Sequence, residues 1–392
     1  MSKLRYLEPP ITEDLVKKMV FLAGPRQVGK TTLAKRLLDL SDNGQYLNWD
    51  NRGHRRTIRQ AAWPAEPSLV VLDELHKWEG WQSWIKGEYD ASGDRVRFLV
   101  TGSARLDIYR RGGDSLQGRY HHFRLHPFSL AEIENAKKFS STDIAGRELE
   151  FRPGISRSTV DSLVKFGGFP EPFLAQSART LRRWQKERLD RVLLEDVRDL
   201  ENVRAISNIQ ILADLLPERV GSPLSLNNLR EDLDASHRGI SHWVDILDRL
   251  YYSFRILPWA SRSTRSLKRM PKLYLWDWSE VPDPGARFEN LIASHLQKFC
   301  HFIEDCEGHR VTLHYLRDRS GREVDFLVTV DNKPWFAVES KLSDQNVDKS
   351  IHYFKERIGL PWIYQVTLNG DRDVIRDGVR IIPAHVFLSA LA

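Results

Sequence analysis

The chain has 392 residues, 41% of them hydrophobic, which can fill more than one core and predicts two to three domains. No apolar run comes near the ~20 residues of a membrane span, and the first ten residues lack the apolar core of a signal peptide, so we expect a cytoplasmic protein without a membrane partner. Two cysteines, Cys300 and Cys306, exclude a disulfide framework and a four-cysteine zinc site, and the net charge of +6 permits an anionic partner.

The first chemical motif stands between a predicted strand and a predicted helix. The apolar run 19–23 predicts a buried strand, and Leu33, Leu37 and Leu38 form the apolar face of a following helix. Between them lies a G-x-x-x-x-G-K-T motif, a loop whose backbone amides surround phosphate oxygens while the lysine reaches the β- and γ-phosphates and the threonine hydroxyl ligates magnesium. The predicted ATP-binding residues are Gly24, Pro25, Gln27, Val28, Gly29, Lys30, Thr31 and Thr32.

A second apolar strand, 68–72, ends in two carboxylates, Asp73 and Glu74. After a P-loop, these residues are expected to hold the magnesium ion and to polarise the attacking water, respectively. The alternative is a strand that ends in solvated charges, which the upstream motif disfavours. A third strand ends at Thr101, and either Thr101 or Ser103 is the candidate sensor of the γ-phosphate.

An arginine precedes the next predicted strand, 120–125. In some P-loop enzymes an arginine reaches the nucleotide of a neighbouring subunit and stabilises the charge of the transition state. Arg119 is the first candidate for that role, and Arg110 and Arg111 compete with it.

The middle of the chain is predicted to be helical and then to form a helix-turn-helix with a hairpin. Ser225 is a candidate N-cap for a helix over 226–233, and a second helix over 240–250 follows after a short turn. The hairpin over 251–276 contains a stretch, 255–272, with six basic residues and no acidic one, which suits contacts with DNA phosphates. The alternative is a plain packing module. The predicted DNA-binding residues are Arg262, Arg265, Lys268, Arg269 and Lys272.

The C-terminal part is predicted to contain a helix, 286–299, and strands 311–316, 323–330 and 335–340. Because strand side chains alternate between faces, Glu339 and Lys341 share one face, and Asp325 on the adjacent strand can reach the same edge. With Glu289 from the helix, these carboxylates are the oxygen ligands that Mg²⁺ or Mn²⁺ prefers, and Lys341 would stabilise a phosphodiester under attack. The alternative is an ordinary charged rim.

Several segments together resemble a known family. The strings GPRQVGKTT, VVLDELHKWEGWQSW, VTGSARL, SLQGR, HPFSLAEI and GGFPEP are similar to those of a large prokaryotic family of AAA-type ATPases whose C-terminal region, labelled a domain of unknown function, has a restriction-endonuclease-like fold. In the C-terminal part, the residues around Glu289, Asp325 and Glu339 match that family's pattern. The resemblance implies an α/β protein with a P-loop AAA-type ATPase core over 1–128, a helical lid over 129–203, a winged-helix-like domain over 204–280 and a restriction-endonuclease-like α/β domain over 281–392.

Three functions follow as hypotheses. The first is an ATP-driven motor that acts on DNA, including branched DNA such as junctions, as a ring with a hexamer as the expected assembly. The second is an ATP-gated, metal-dependent DNA nuclease with a second Mg²⁺ or Mn²⁺ site in its C-terminal domain. The third is a nucleotide switch that binds a protein partner.

Overall fold

The computed structural model describes residues 4–64, 67–102, 106, 116–134, 144–152, 154–192, 197, 203–259 and 270–392. The chain forms two compact units, Met1–Pro127 and Phe128–Ala392. Within the described ranges, no helix has the length and apolar character that crossing a bilayer requires.

The first unit is built on a five-stranded sheet in the order β2-β3-β4-β1-β5, in which all neighbours run parallel. Its strands are β1 (Met19–Ala23), β2 (Gly44–Asn48), β3 (Ser68–Asp73), β4 (Val96–Thr101) and β5 (Tyr120–Arg124). Its helices are α1 (Glu8–Asp14), α2 (Lys30–Asp39), α3 (Arg52–Arg59) and α4 (Trp81–Ser92). Every residue of β1 and β3 is buried, as expected of central strands that are covered on both faces.

The order of the strands determines where the functional residues meet. Because the strands are parallel, the carboxyl ends of β1, β3 and β4 lie at one edge of the sheet, where ligands of α/β proteins usually bind. The register pairs Thr101 of β4 with both Leu22 of β1 and Asp73 of β3. The P-loop after β1 therefore opens beside the carboxylates after β3.

The second unit contains an eight-stranded mixed sheet in the order β12-β13-β11-β10-β9-β8-β6-β7. Its strands are β6 (Ser253–Pro258), β7 (Lys272–Leu275), β8 (Val311–Arg317), β9 (Glu323–Val330), β10 (Lys333–Lys341), β11 (Trp362–Thr367), β12 (Val374–Arg376) and β13 (Val379–Pro383). Its helices are α5 (Leu130–Ile133), α6 (Arg157–Phe166), α7 (Pro170–Ala175), α8 (Ala178–Arg191), α9 (Val203–Leu215), α10 (Leu226–Leu233), α11 (His237–Arg249), α12 (Pro284–Glu307), α13 (Lys349–Ile358) and α14 (Ala384–Leu388).

The predicted helix pair and hairpin are present as α10, α11, β6 and β7. Ser225 caps α10 as predicted, since its hydroxyl accepts a hydrogen bond from the amide of Asn228. The hairpin has a further role that the sequence did not suggest. Strand β6 runs parallel to β8, where Leu257 pairs with His314, so the hairpin extends the C-terminal sheet.

Helix α12 is longer than predicted and forms the centre of the second unit. Its buried face includes Phe288, Leu291 and Phe299, and it packs against β7, β8, β9 and β10. This packing brings Glu289, in the second turn of the helix, to Lys272 at the start of β7, which also faces Asp325 near the start of β9.

Candidate functional site

The P-loop in the first unit has the backbone that its glycines allow. Gly24 has a φ of 145° and runs so close to Leu125 that a Cβ would fall 2.2 Å from the carbonyl oxygen of that residue. Gly29 has a φ of 99° and precedes α2, so the loop turns directly into a helix N-terminus. Amides at such a terminus can bind an anion, which is the role that the motif predicts for this loop.

Lys30, the lysine of the motif, is buried at the first position of α2, beside this loop. The Lys30 ammonium donates hydrogen bonds to the carbonyl oxygens of Gly24 and Pro25, at 2.9 and 2.7 Å. Arg5 stabilises the loop, because its guanidinium donates hydrogen bonds to the carbonyl oxygens of Val28 and His126. Arg5 is distant in sequence from the motif, and sequence reasoning missed it.

The other predicted ATP-binding residues lie on the same loop and on the first turn of α2. Gln27 has a left-handed backbone with a φ of 61°, and Val28 is fully buried. Thr31 is half-buried and turned toward the carboxylate that ends β3, whereas Thr32 is exposed.

Asp73 is buried at the centre of a hydrogen-bond network. The Thr31 hydroxyl donates to its Oδ2 at 3.0 Å, and the Thr101 hydroxyl donates to its Oδ1. Tyr46 and Asn48, both on β2, donate to Oδ2 at 2.5 and 3.4 Å. Burial, together with the hydrogen bond to Asp73, raises the pKa of Tyr46 to about 12, so this hydroxyl stays a donor. Of the two predicted sensors, Thr101 thus contacts Asp73, and Ser103 lies outside the described residues.

Glu74 follows in a left-handed conformation, with a φ of 58° that is uncommon for a residue with a side chain. Its amide donates to the carbonyl oxygen of Thr101 at 3.0 Å, which fixes it beside β4. Burial raises the pKa of Glu74, and the ammonium of Lys77, 3.4 Å from its Oε2, acts in the opposite direction. A carboxylate with a raised pKa at a strand end is a suitable general base.

These residues fit a nucleotide and its magnesium ion. The Thr31 hydroxyl and the Asp73 carboxylate are hard oxygen donors within 3.0 Å of each other, and Mg²⁺ is held in P-loop enzymes by such a pair. The glycine backbone of the loop and the ammonium of Lys30 supply the complementary phosphate site.

Arg119 lies at the opposite edge of the sheet from the P-loop. Its carbonyl oxygen accepts a hydrogen bond from Met19 at the start of β1, whereas the P-loop follows the end of that strand. Five residues of strand correspond to roughly 16 Å, so Arg119 is remote from the P-loop of its own chain. Its guanidinium makes two hydrogen bonds to Asp90, at 2.8 and 3.0 Å, and is about one-third exposed. The competing Arg110 and Arg111 lie outside the described residues.

Helix α3 presents a group of arginines that sequence reasoning overlooked. Arg52, Arg56 and Arg59 are exposed, and Arg55 is partly buried. The guanidiniums of Arg55 and Arg59 both lie 5.5 Å from the ring centre of Trp49. We call Arg52, Arg55, Arg56 and Arg59 the α3 arginines. Four basic residues in an eight-residue helix could have been recognised in the sequence as a charged surface.

The α3 arginines are connected to the nucleotide site through β2. The backbone amide of Asn48 donates to Nδ1 of His54 in α3, and the Asn48 side chain donates to Asp73. The amide of Trp49 donates to the carbonyl oxygen of Asp73 at 2.9 Å. Hydrogen bonds thus connect α3 to the residue that ends β3, Asp73.

In the second unit, the predicted metal ligands do converge, but a lysine lies among them. Lys272 of β7 is 1% exposed, and its ammonium lies 2.6 Å from Glu323, 3.2 Å from Glu289 and 3.8 Å from Asp325. Burial lowers its pKa, but the carboxylates, Glu289 foremost, raise the pKa of Lys272 overall. This burial corrects the prediction that Lys272 contacts DNA, because its charge is used inside the protein. The other predicted DNA-binding residues, Arg262, Arg265, Lys268 and Arg269, lie outside the described residues.

The remaining two residues of the cluster form a second pair. Glu339 and Lys341 lie on one face of β10, as strand parity predicted, with the ammonium 2.8 Å from Oε1 of Glu339. Oε2 of Glu339 accepts a hydrogen bond from the amide of Asp325, and Oδ2 of Asp325 accepts from both the amide and the hydroxyl of Ser340. Burial and the nearby charge of Asp325 raise the pKa of Glu339 to about 8.

The predicted second metal does not fit this arrangement. Mg²⁺ needs near-octahedral oxygen ligands at about 2.1 Å, whereas the oxygens of Glu289, Asp325 and Glu339 are engaged with lysines, hydroxyls and amides of the protein. Among the residues that the structure describes, no group of three or more acidic, histidine or cysteine side chains is arranged to hold a metal.

Comparisons with known proteins agree with the geometry of the first unit. A family model described as an AAA domain matches residues 16–134, and two models described as domains of unknown function, DUF8612 and DUF4143, match residues 157–279 and 284–387. Three features stay predictions: the restriction-endonuclease-like fold of the C-terminal part, the helical lid and the winged helix.

The similar proteins include two curated relatives and one solved structure. An uncharacterized protein of Methanocaldococcus jannaschii is 23% identical over 365 residues, which are 87% of this chain and 79% of that protein. An uncharacterized protein of Mycobacterium tuberculosis is 21% identical over 388 residues, which are 95% of this chain and 81% of that protein. A Walker-type ATPase of Pyrococcus abyssi aligns with a TM-score of 0.41 and 13% identity over 71% of this chain and 94% of that one. With its AAA-domain match and the P-loop geometry described above, this chain carries a P-loop ATPase domain.

Proposed function

We propose that this protein is an ATP-hydrolysing AAA-type motor that acts on DNA and assembles as a ring, with six subunits as the expected number. The observation that supports hydrolysis is the meeting of Thr31, Asp73 and Glu74 beside the P-loop. Simple nucleotide binding would need the loop and its lysine. It would not need a buried carboxylate with four donors followed by a second carboxylate with a raised pKa.

In the proposed reaction, each residue has one task. The amides of the P-loop and the ammonium of Lys30 bind the β- and γ-phosphates, and Thr31 with Asp73 would hold magnesium, which neutralises phosphate charge when bound. Glu74 accepts a proton from water as the water oxygen bonds to the γ-phosphorus and the bond to the bridging oxygen of ADP breaks. The products are ADP and inorganic phosphate.

The proposal that the partner is DNA is supported by the α3 arginines. They place positive charge at the surface, where it can contact phosphates without base recognition, and arginine suits phosphate oxygens well. Through Trp49 and Asn48, α3 is hydrogen-bonded to Asp73, which offers a physical route by which bound DNA changes ATP turnover. The predicted basic hairpin would add a second contact.

The ring is supported by the location of Arg119. An arginine roughly 16 Å from its own P-loop cannot contact its own γ-phosphate, but it is partly exposed and can reach the nucleotide of a neighbour. The hydrogen bonds with Asp90 would hold its side chain until a neighbouring subunit docks.

The DNA contact is tested by reversing charge on α3. In the variant Arg52→Glu with Arg56→Glu, we expect weaker binding to duplex DNA and a salt dependence of log K that is less steep by about two, since each phosphate contact contributes about 0.9. The matched control is Arg95→Glu with Lys349→Glu, two other exposed basic residues. An unchanged affinity and slope in the α3 variant would refute this surface, and no binding by the wild type at low salt would favour a switch that binds a protein.

A further inference from the structure

The ammonium of Lys272 occupies the position at which three carboxylates of the second unit converge. Glu289 comes from α12, and Glu323 and Asp325 come from β9, so the lysine joins three elements. Its side chain is almost completely buried, which is rare for a lysine unless it is paired.

The other contacts in the cluster complete this arrangement. The hydroxyl of Tyr274, two residues along β7, donates to Oε1 of Glu289 at 2.7 Å, the same oxygen that faces Lys272. The ring of Tyr315 packs 5.5 Å from the ammonium on another side. Lys272 is thus enclosed by oxygen atoms and an aromatic ring, which are the surroundings that stabilise a buried cation.

A divalent cation and this ammonium would compete for the same oxygens. Two positive charges within about 4 Å repel strongly when they are shielded from water. The ammonium already contacts one oxygen from each of the three carboxylates, and Lys341 contacts Glu339 beside them. Magnesium could bind only if the buried lysine left its position.

We propose that Lys272 is the resident cation of this cluster, replacing the divalent metal that such a set of carboxylates would otherwise bind. The carboxylates then serve to join β7, α12 and β9, and this cluster does not hold a divalent metal that would cut phosphodiesters. This inference does not depend on the proposed motor function, because it concerns residues of the second unit only.

The proposal is tested by Mn²⁺ binding to the full chain without nucleotide, followed by electron paramagnetic resonance of the free ion. All proteins carry Asp73→Asn to remove the P-loop contribution. With Lys272 present, we expect no second-unit site tighter than about 1 mM. Lys272→Met should gain one site, at least about tenfold tighter, that disappears when Asp325→Asn is added.

Thermal unfolding provides a second readout of the same titration. Mn²⁺ should raise the melting temperature of the Lys272→Met protein and leave that of the Lys272 protein unchanged. The proposal is overturned if the Lys272 protein binds Mn²⁺ in a manner that Asp325→Asn abolishes, a measurement that decides the matter even when Lys272→Met does not fold. A folded Lys272→Met protein without a new site would also overturn it.

Discussion

Replacing Lys272 by methionine should destabilise the second unit by about 3–5 kcal/mol at pH 8, because removing one partner of a buried ion pair leaves the others uncompensated. The change nearly conserves volume, so packing contributes little. The three facing carboxylates lie within 2.6 to 3.8 Å of the ammonium. The lysine is 1% exposed and the carboxylate side chains are 15% to 26% exposed, so solvent compensates only part of the lost charge.

The destabilisation should depend on pH in a defined direction. Burial and the charge of Asp325 raise the pKa of Glu289 to about 7, so at pH 8 most of the Glu289 carboxylate is charged and depends on Lys272. At pH 5 this carboxyl group is protonated in the folded protein and requires less compensation. The cost of Lys272→Met should therefore be smaller at pH 5 than at pH 8.

Amide hydrogen exchange of peptides from β7 and β9 measures this cost, because it reports the opening of the second unit separately from the first. The control is Lys349→Met, which removes an exposed lysine and should change stability by less than about 0.5 kcal/mol. Adding Glu289→Gln to Lys272→Met should restore about 1–2 kcal/mol, since it removes one uncompensated charge. A cost for Lys272→Met equal to that of the control would refute the assignment of a buried ion-pair cluster.

Three further predictions concern groups in both units. Glu289 should lower the free energy of unfolding of the second unit by up to about 3 kcal/mol as the pH rises from about 4.5 to 7, because it ionises in the unfolded chain first. In urea titrations, Glu289→Gln should remove this contribution and leave those of Glu280 and Glu339, whose pKa values are also raised. Tyr46→Phe removes a hydrogen bond of 2.5 Å to Asp73 and should lower the free energy of unfolding of the first unit by about 1–2 kcal/mol, with ATP turnover reduced severalfold and ATP binding retained; unchanged turnover would show that this donor does not position the carboxylate. Arg119→Ala should reduce ATP turnover about 10³-fold while ATP binding persists, whereas Asp90→Asn, which removes only its partner within the chain, should remain active; full turnover in Arg119→Ala would exclude a shared site.

The nucleotide site could be predicted from the sequence because its residues are local. A P-loop is a contiguous motif whose glycines, lysine and threonine act through the backbone of one turn, and β1 and β3 are continuous apolar runs. Strand β2 was missed because Leu47 is its one fully buried residue, as expected of an edge strand, and with it Tyr46 and Asn48 were missed as partners of Asp73. Residues that complete a site from an edge strand leave a weak local pattern.

In the C-terminal cluster, one local prediction was correct and one prediction that depends on tertiary contacts was wrong. Strand parity placed Glu339 and Lys341 together correctly, since alternation is a local property. Lys272 was interpreted as part of a basic surface because the stretch 255–272 contains six basic residues and no acidic one. Its partners belong to α12 and β9, and the pairing of β6 with β8 and the packing of α12 on β7 bring these residues together. The role of Lys272 is determined by contacts between elements that are distant in sequence, and local sequence patterns do not show such contacts.

The central claim is that the first unit hydrolyses ATP and that DNA stimulates it. The most direct measurement is the ATP turnover of the full chain at low salt, without DNA and with single-stranded, duplex or four-way-junction DNA, for the wild type, Lys30→Ala and Glu74→Gln. We predict that the wild type turns over ATP faster with DNA, that Glu74→Gln binds ATP but is slower by about 10² or more, and that Lys30→Ala loses nucleotide binding. A wild-type rate equal to that of Glu74→Gln, or one that no DNA changes, would contradict the account.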